Sequence, residues 1–391
     1  MTRVKNDCPM IAALLGEHAH YDPRYILDDG DSPLLTRLNH IHQELRASST
    51  FGPLQRIAIA LYDAREGFVR TFVESNIGIP SSGRYQALLS QQGSLRQMAQ
   101  SRTTRIIDEV TSAAPGRLGD LYRKGIRSSM TVPIYGQGGL FGFIFFNAAK
   151  PRFFRGAIPD HLSLYARLIA LLLIQEVMAV RLVRSVVKAA QELTRHRDYE
   201  TATHLDRMSH YTRLIATEGA DQWGLSDEFI EHLFWFAPLH DIGKIAVRDS
   251  ILLKPGKLTE TEMAEMKLHV TKGVEIIDGI TKGFGMEALP YMGIARNVIS
   301  FHHENVDGSG YPGGAMGSEI PIEGRIVAVA DVFDALTSDR PYKQKWTNED
   351  AIAYLRKLTG QKFDRDCVEA FILRMDEVIE IQNRFQCEIA P

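Results

Sequence analysis

From Ile158 to about Arg195 the chain carries no Pro or Gly beyond its first turn, and its apolar residues recur three and four apart. That pattern is one long helix. Ile169, Leu173, Val180, Val183, Val187 and Ala190 keep the alternating spacing if Glu176 is admitted as the one polar member. A seam of this kind suits a parallel two-stranded coiled coil and hence a homodimer. The alternative is a single helix whose apolar face packs on its own domains. Either way the helix divides the chain in two, and 391 residues are too many for one ordinary core.

On its N-terminal side the pattern is that of short strands. Residues 1–49 read as a helical extension, with Leu34, Leu35, Leu38, Ile41 and Leu45 at helical spacing. From residue 50 to 160 the runs Arg56 to Asp63 and Phe68 to Ser75 flank Ala64-Arg65-Glu66-Gly67, a hairpin with a glycine-bearing turn. Ser94 to Ser101 suits a helix and Thr104 to Glu109 a short strand. A second hairpin joins Ser128 to Gly136 with Gly139 to Ala148. The expectation is an α+β domain whose sheet supports a pocket.

The order of these features, above all GIRSSMTVPIYGQGGLFGFIFFNA followed by Phe153, Phe154 and the long helix, resembles a GAF domain over roughly residues 50 to 175. Members of that family bind cyclic nucleotides, tetrapyrroles, small metabolites or nothing, and often dimerise. This segment has no cysteine to attach a bilin and lacks the Asn-Lys-x-Phe-Asp-Glu set of cyclic-nucleotide-binding members. The pocket is therefore either a sensor of unknown ligand or a dimerisation scaffold.

Charge and cysteines bound the partners. With 45 basic against 48 acidic residues the net charge is -3, which gives no reason to expect a nucleic-acid polymer or an anionic membrane. Cys8, Cys367 and Cys387 are widely spaced and form no CxxC, which argues for a reducing, cytoplasmic compartment. The most apolar segment, Leu164 to Val183, is broken by Arg167, Gln175, Glu176 and Arg181 and is not read as a membrane span.

From about residue 191 the chain reads as helices and carries the chemistry. Glu200 and His204 stand four apart, on one face of a helix. An apolar approach, Phe234 to Phe236, leads into His240-Asp241, with Gly243 and Lys244 one turn on. A neutral imidazole beside a carboxylate can hold a divalent ion, the carboxylate's second oxygen can bridge to another, and Lys244 can meet a phosphate oxygen. His269 lies on a helix that starts with a capping box, Thr259 with Glu262. Phe301 to Pro312 reads FHHENVDGSGYP, with His302, His303 and Glu304; adjacent histidines point far enough apart to serve two metals. Asp331 is a carboxylate in an apolar helix, costly unless paired or bound to metal. Five histidines and three carboxylates without cysteine suit iron or manganese, and eight ligands match two or three divalent ions.

The residues H204, HDIGK, H269, HHENVDGSGYP and DVFDALTSDRPYK, in this order, resemble an HD-GYP domain over about residues 191 to 375. That branch of the HD phosphohydrolases hydrolyses cyclic di-GMP. The resemblance implies metal ligation by Glu200, His204, His240, Asp241, His269, His302, His303 and Asp331, with Asp241 bridging. Glu200 distinguishes members expected to hold three metals from those holding two. It also implies phosphate contacts from Lys244, Arg340 and Lys343, and a substrate loop containing Gly310 and Tyr311, which in the family has been linked to diguanylate cyclase (GGDEF) domains. The expected fold is multidomain: an α+β GAF-like domain at 50–160, a linker helix at 161–190, and an all-α HD-GYP domain at 191–391. The expected activity is metal-dependent cleavage of cyclic di-GMP to pGpG or GMP. Another cyclic dinucleotide such as cyclic GMP-AMP, or a non-catalytic receptor, are the alternatives.

Overall fold

The computed structural model describes residues 34–136, 138–193, 202–284, 291–338 and 344–385. Glu200, Arg340 and Lys343 lie outside the described residues, as do Cys8 and Cys387.

The N-terminal half begins with helix α1 (Leu34–Ala47) and continues into strands β1 (Leu54–Asp63) and β2 (Phe68–Asn76). There follow β3 (Gln86–Leu88), α2 (Gly93–Ser101), β4 (Arg105–Ile107), α3 (Arg117–Arg123), β5 (Ser128–Gly136) and β6 (Gly139–Ala148). They form one antiparallel sheet in the order β3-β2-β1-β6-β5-β4. Both faces are covered, which is why β1 and β6 read as nearly continuous apolar runs rather than alternations. Ile57, Ile59, Phe72 and Phe146 pack with α1 and the long helix. Ala60, Val69 and Phe143 pack with Leu95 and Met98 of α2. His42 of α1 is buried and bonds Ser75 Oγ at 2.8 Å, so it is a core histidine.

The long helix is α4 (Ile158–Leu193). Its predicted seam is not a partner's surface. Ile169 and Leu173 are fully buried in the sheet domain's core, and Val180, Val183 and Val187 in the helical core that follows. The spacing that suggested a coiled coil is filled from within the chain. Burial inside one chain loses no translational freedom, so it outcompetes the same contact made between two. Ala190 has no described side-chain surroundings. Among the described residues no helix is long and apolar enough to cross a membrane.

The C-terminal half is helical: α5 (Ala202–Glu218), α6 (Asp227–Phe236), α7 (Glu260–Gly283), α8 (Met292–Phe301), α9 (Ile322–Thr337), α10 (Asn348–Lys357), α11 (Arg365–Ile372) and α12 (Met375–Arg384). Met208, Tyr211, Phe236, Val298, Phe333 and Phe371 sit at its core. Two 3-10 turns, Ala237–Leu239 and Ile242–Ala246, interrupt the path between α6 and α7. The Thr259/Glu262 capping box forms as read from the sequence.

Candidate metal centre

The 3-10 turn after Asp241 lies hard against α7. A Cβ on Gly243 would fall 1.8 Å from the His269 carbonyl oxygen and 2.5 Å from the Gly273 nitrogen. Only glycine permits this approach, and it brings Asp241 beside His269. Asp241 Oδ1 lies 3.1 Å from His269 Nε2 and 3.6 Å from His302 Nε2, while Oδ2 lies 3.1 Å from His240 Nε2 and 2.7 Å from Lys244 Nζ. The two oxygens thus face two groups of candidate ligands. One comprises Asp241, His269, His302 and His303; the other His204, His240 and Asp331. In the second, Asp331 Oδ1 is 3.9 Å from Nε2 of both His204 and His240. His302 and His303 fall in the same group, with ring centroids 4.0 Å apart, contrary to the expectation that adjacent histidines serve two metals. Both follow the last turn of α8, and that local backbone turns their rings to the same side.

Four of the five imidazoles are oriented from behind. Nδ1 donates to a backbone carbonyl in three cases: His240 to Ala237 at 3.1 Å, His269 to Met266 at 2.7 Å, and His302 to Ile299 at 3.0 Å. A carbonyl can only accept, so the proton is on Nδ1 and the Nε2 lone pair is presented to the site. His204 Nδ1 instead donates to Asp334 Oδ2 at 2.6 Å. Asp334 is fully buried and receives Arg207 Nε on Oδ1 at 2.6 Å and Arg207 Nη2 on Oδ2 at 2.8 Å. Burial opposes its ionisation, but the Arg207 and His204 hydrogen bonds hold its pKa below the ordinary value.

Metal ions fit this donor set. Asp241 Oδ1, His269 Nε2 and His302 Nε2 are buried polar atoms with no hydrogen-bond partner among the described residues, and such atoms are costly without an occupant. Burial acts to push Asp241 up, yet Lys244 and His240 hold it well below the usual carboxylate range. Burial lowers the pKa of His302 and His303, keeping them neutral and able to coordinate.

Glu304 shapes the loop that follows. It is buried, and its oxygens accept from the backbone nitrogens of Gly313 at 2.6 Å, Gly314 at 3.1 Å and Ala315 at 3.1 Å. A Cβ on Gly310 would lie 2.3 Å from the Asn305 nitrogen, so the loop's own backbone occupies the space beside it. Tyr311 is thereby stacked on His303, centroids 4.7 Å apart, with Lys267 Nζ 4.8 Å from its ring.

Three of the predicted site residues, Glu200, Arg340 and Lys343, lie outside the described residues; the other predicted ligands converge. Sequence reasoning missed Asp334 and Arg207. Their signal was present: each stands three residues after a predicted ligand on its own helix, Asp331 and His204, one turn behind it.

A cleft of about 1260 Å³ runs from this centre toward the sheet domain. Its lining includes Asp241 and Lys244, the β1–β2 and β5–β6 turns, and Arg181, Arg184 and Lys188 of α4. Glu66, in the β1–β2 turn, ties the sheet domain to the cleft's far wall through His210 at 3.2 Å and Arg384 at 3.0 Å.

The helical core buries His240 and Asp241 with further imidazoles converging on them, the arrangement of a candidate metal centre. Residues 181–367 match the family model described as HD domain. Among particular relatives, the chain is 47% identical over 190 residues to the cyclic di-GMP phosphodiesterase response regulator RpfG of Xanthomonas campestris pv. campestris, covering 49% of this chain and 47% of that protein. It is 40% identical over 199 residues to a cyclic di-GMP phosphodiesterase of Thermotoga maritima (51% of each chain). It is also 40% identical over 186 residues to the 3'3'-cGAMP-specific phosphodiesterase 2 of Vibrio cholerae (48% of this chain, 34% of that one). The chain spans about half the length of the curated relatives first mentioned. The phycoerythrobilin-bound GAF domain of a cyanobacterial phytochrome aligns with a TM-score of 0.31 and 17% identity over 39% of this chain and 92% of that one.

Proposed function

We propose that this protein is a metal-dependent phosphodiesterase that hydrolyses cyclic di-GMP to pGpG or GMP under the influence of its N-terminal α+β domain. The observation that carries the reading is Asp241, whose two oxygens face two separate groups of imidazoles. His269, His302, His303 and Asp241 would hold one ion; His204, His240 and Asp331 the other, with Asp241 between them. A donor set of imidazole and carboxylate favours iron or manganese, and Glu200 would add a third ion. Such ions supply the charge that lowers the pKa of a water and stabilises the pentacovalent phosphorus.

The chain's own groups account for the rest. Lys244, 2.7 Å from Asp241 Oδ2, lies where its ammonium can neutralise a phosphoryl oxygen. Tyr311, held over His303, offers a face for a guanine. Arg340 and Lys343 join it as phosphate contacts by resemblance. Arg181, Arg184 and Lys188 line the cleft, where their charges can meet the second phosphate.

The test is anaerobic purification, metal analysis, and chromatography of products from cyclic di-GMP. Two to three iron or manganese ions per chain with pGpG or GMP formed supports the reading; full metal loading without turnover overturns it. A second reading, cleavage of 3'3'-cGAMP, is favoured by the Vibrio cholerae relative and is separated by the ratio of kcat/KM for the two substrates.

A further inference from the structure

The cleft between the two halves has three walls. The helical half supplies Asp241 and Lys244, α4 supplies Arg181, Arg184 and Lys188, and the sheet domain supplies the β1–β2 turn, including Arg65. Arg181, Arg184 and Lys188 follow one another at spacings of three and four, so they share one face of α4 and spread charge over roughly 10 Å of its length. The guanidinium of Arg181 stands over the ring of Phe141, 4.9 Å from its centroid. Arg184 is the most enclosed of the three. Burial first, and then the charge of Arg65, lowers its pKa; Arg181 and Arg213 act in the same direction, with Asp206 opposing them. Guanidiniums brought this close in a partly desolvated space repel one another, and an anion lying between them removes that cost. The turn that carries Arg65 is tied to the helical half. Asp63 Oδ1 accepts from the backbone nitrogens of Arg65 at 2.9 Å and Glu66 at 3.2 Å, Glu66 meets His210 and Arg384, and the Arg65 carbonyl accepts from Arg384 Nη2 at 3.4 Å. Its backbone is therefore held from both sides while its side chain is exposed.

We propose that the sheet domain completes the substrate site: Arg65 joins Arg184 in binding the phosphate that is not cut, while the scissile phosphate of the same cyclic dinucleotide lies at Asp241 and Lys244. The identity of the ligand rests on the phosphodiesterase reading. Three observations favour it over a small anion. The cleft, at about 1260 Å³, exceeds the ~300–1,000 Å³ of an ordinary small-molecule site and has room for a dinucleotide. Tyr62, Phe141 and Trp235 on its walls offer faces to bases. A lone phosphate needs one cationic end, whereas this cleft has two, Lys244 at the metal centre and the Arg65–Arg184 pair beside the turn. The sheet domain thus acts on substrate affinity by contact, and the helical half alone holds an incomplete site.

The test uses the full, metal-loaded chain. Binding is measured by calorimetry with the cleavage-resistant phosphorothioate analogues of cyclic di-GMP and of 3'3'-cGAMP, and turnover by chromatography of products from the parent dinucleotides. Arg65→Glu should weaken analogue binding and raise KM about tenfold or more, with kcat changed less. Arg65→Lys, which keeps the charge, should stay within about threefold of the wild type. An Arg65→Glu chain that binds the analogues as the wild type does overturns the proposal, as does an equal loss in both variants or a wild type that binds neither analogue. Cleavage by the wild type with Arg65→Glu unaffected removes this inference and leaves the phosphodiesterase reading standing. Binding that depends on Arg65 without cleavage removes that reading and leaves the site.

Discussion

Glu176 is a carboxylate in the middle of α4, 4% exposed, where the two domains meet. Arg37 of α1 reaches it at 2.9 Å, and His232 of α6 stands 3.6 Å away. Glu228 of α6 shares a hydrogen bond with it and also takes one from Tyr291. Burial first, and then the charge of Glu228, pushes Glu176 up to about 8 from 4.5, against the pull of Arg37. The pair therefore holds a proton at neutral pH. Because the folded value lies above the unfolded one, the stability this proton supports is complete below pH 4.5 and is lost as pH rises through 8. The loss grows as pH rises from 4.5 toward 8 and is on the order of a few kcal/mol. In Glu176→Gln the amide donates to Glu228 and its oxygen still accepts from Arg37, which mimics the protonated acid at every pH. The variant should melt with the wild type at pH 5 and on the order of 5 °C above it at pH 8.5, measured by scanning fluorimetry across that range. A Gln variant that is less stable than wild type by the same margin at both pH values would refute the argument. It would mean that Glu176 is ionised and held by Arg37 alone.

Other expectations follow from the centre. Asp334→Asn removes the acceptor that fixes His204 and one charge opposite Arg207, and should weaken metal affinity 10- to 100-fold in a chelator competition. Gly243→Ala drives a Cβ into the His269 carbonyl and should destabilise the helical half by about 3 kcal/mol in urea melts. Adding EDTA should lower the melting temperature of the metal-loaded protein but not that of Asp241→Ala, which lacks the shared ligand. Arg184→Gln with Lys188→Gln should raise KM about tenfold for the cyclic dinucleotide while kcat changes less.

What could be read in advance divides along local and tertiary lines. The two hairpins were legible because Gly67 and Gly139 punctuate runs of strand formers, and the observed strands fall within two residues of those runs. The side chains that converge on the centre were legible because coordination would restrict residue type. What orients them was legible only in outline: Asp334 and Arg207 each stand one turn after a predicted ligand, but only the fold brings Arg207 and His204 to 2.6 Å from Asp334. The face of α4 was misread for a related reason. Its three-and-four spacing is common to a coiled-coil seam and to a helix face buried within one chain, and the sequence cannot say which the chain makes of it.

The burial of α4 limits how a signal could pass between the domains. For α4 to slide or turn on its own cores, Ile169, Leu173, Val180 and Val183 would have to leave sites where they are at most 4% exposed. At roughly 1.5–3 kcal/mol for each side chain that is about 6–12 kcal/mol. A ligand coupling two sites ordinarily supplies about 1–3 kcal/mol. A free rotation of the linker is therefore excluded on energy, and the cheaper contacts must carry any coupling. Those are polar: Glu66 against His210, Arg213 and Arg384 at the cleft, and Arg84 against Asp221 and Asp227 away from it. Glu66 belongs to a hairpin turn, whose backbone can move without unburying the sheet. A ligand that shifts this turn changes the wall of the cleft facing Asp241 and Lys244 while the helical core stays intact, so its effect should fall on substrate binding before it falls on metal affinity.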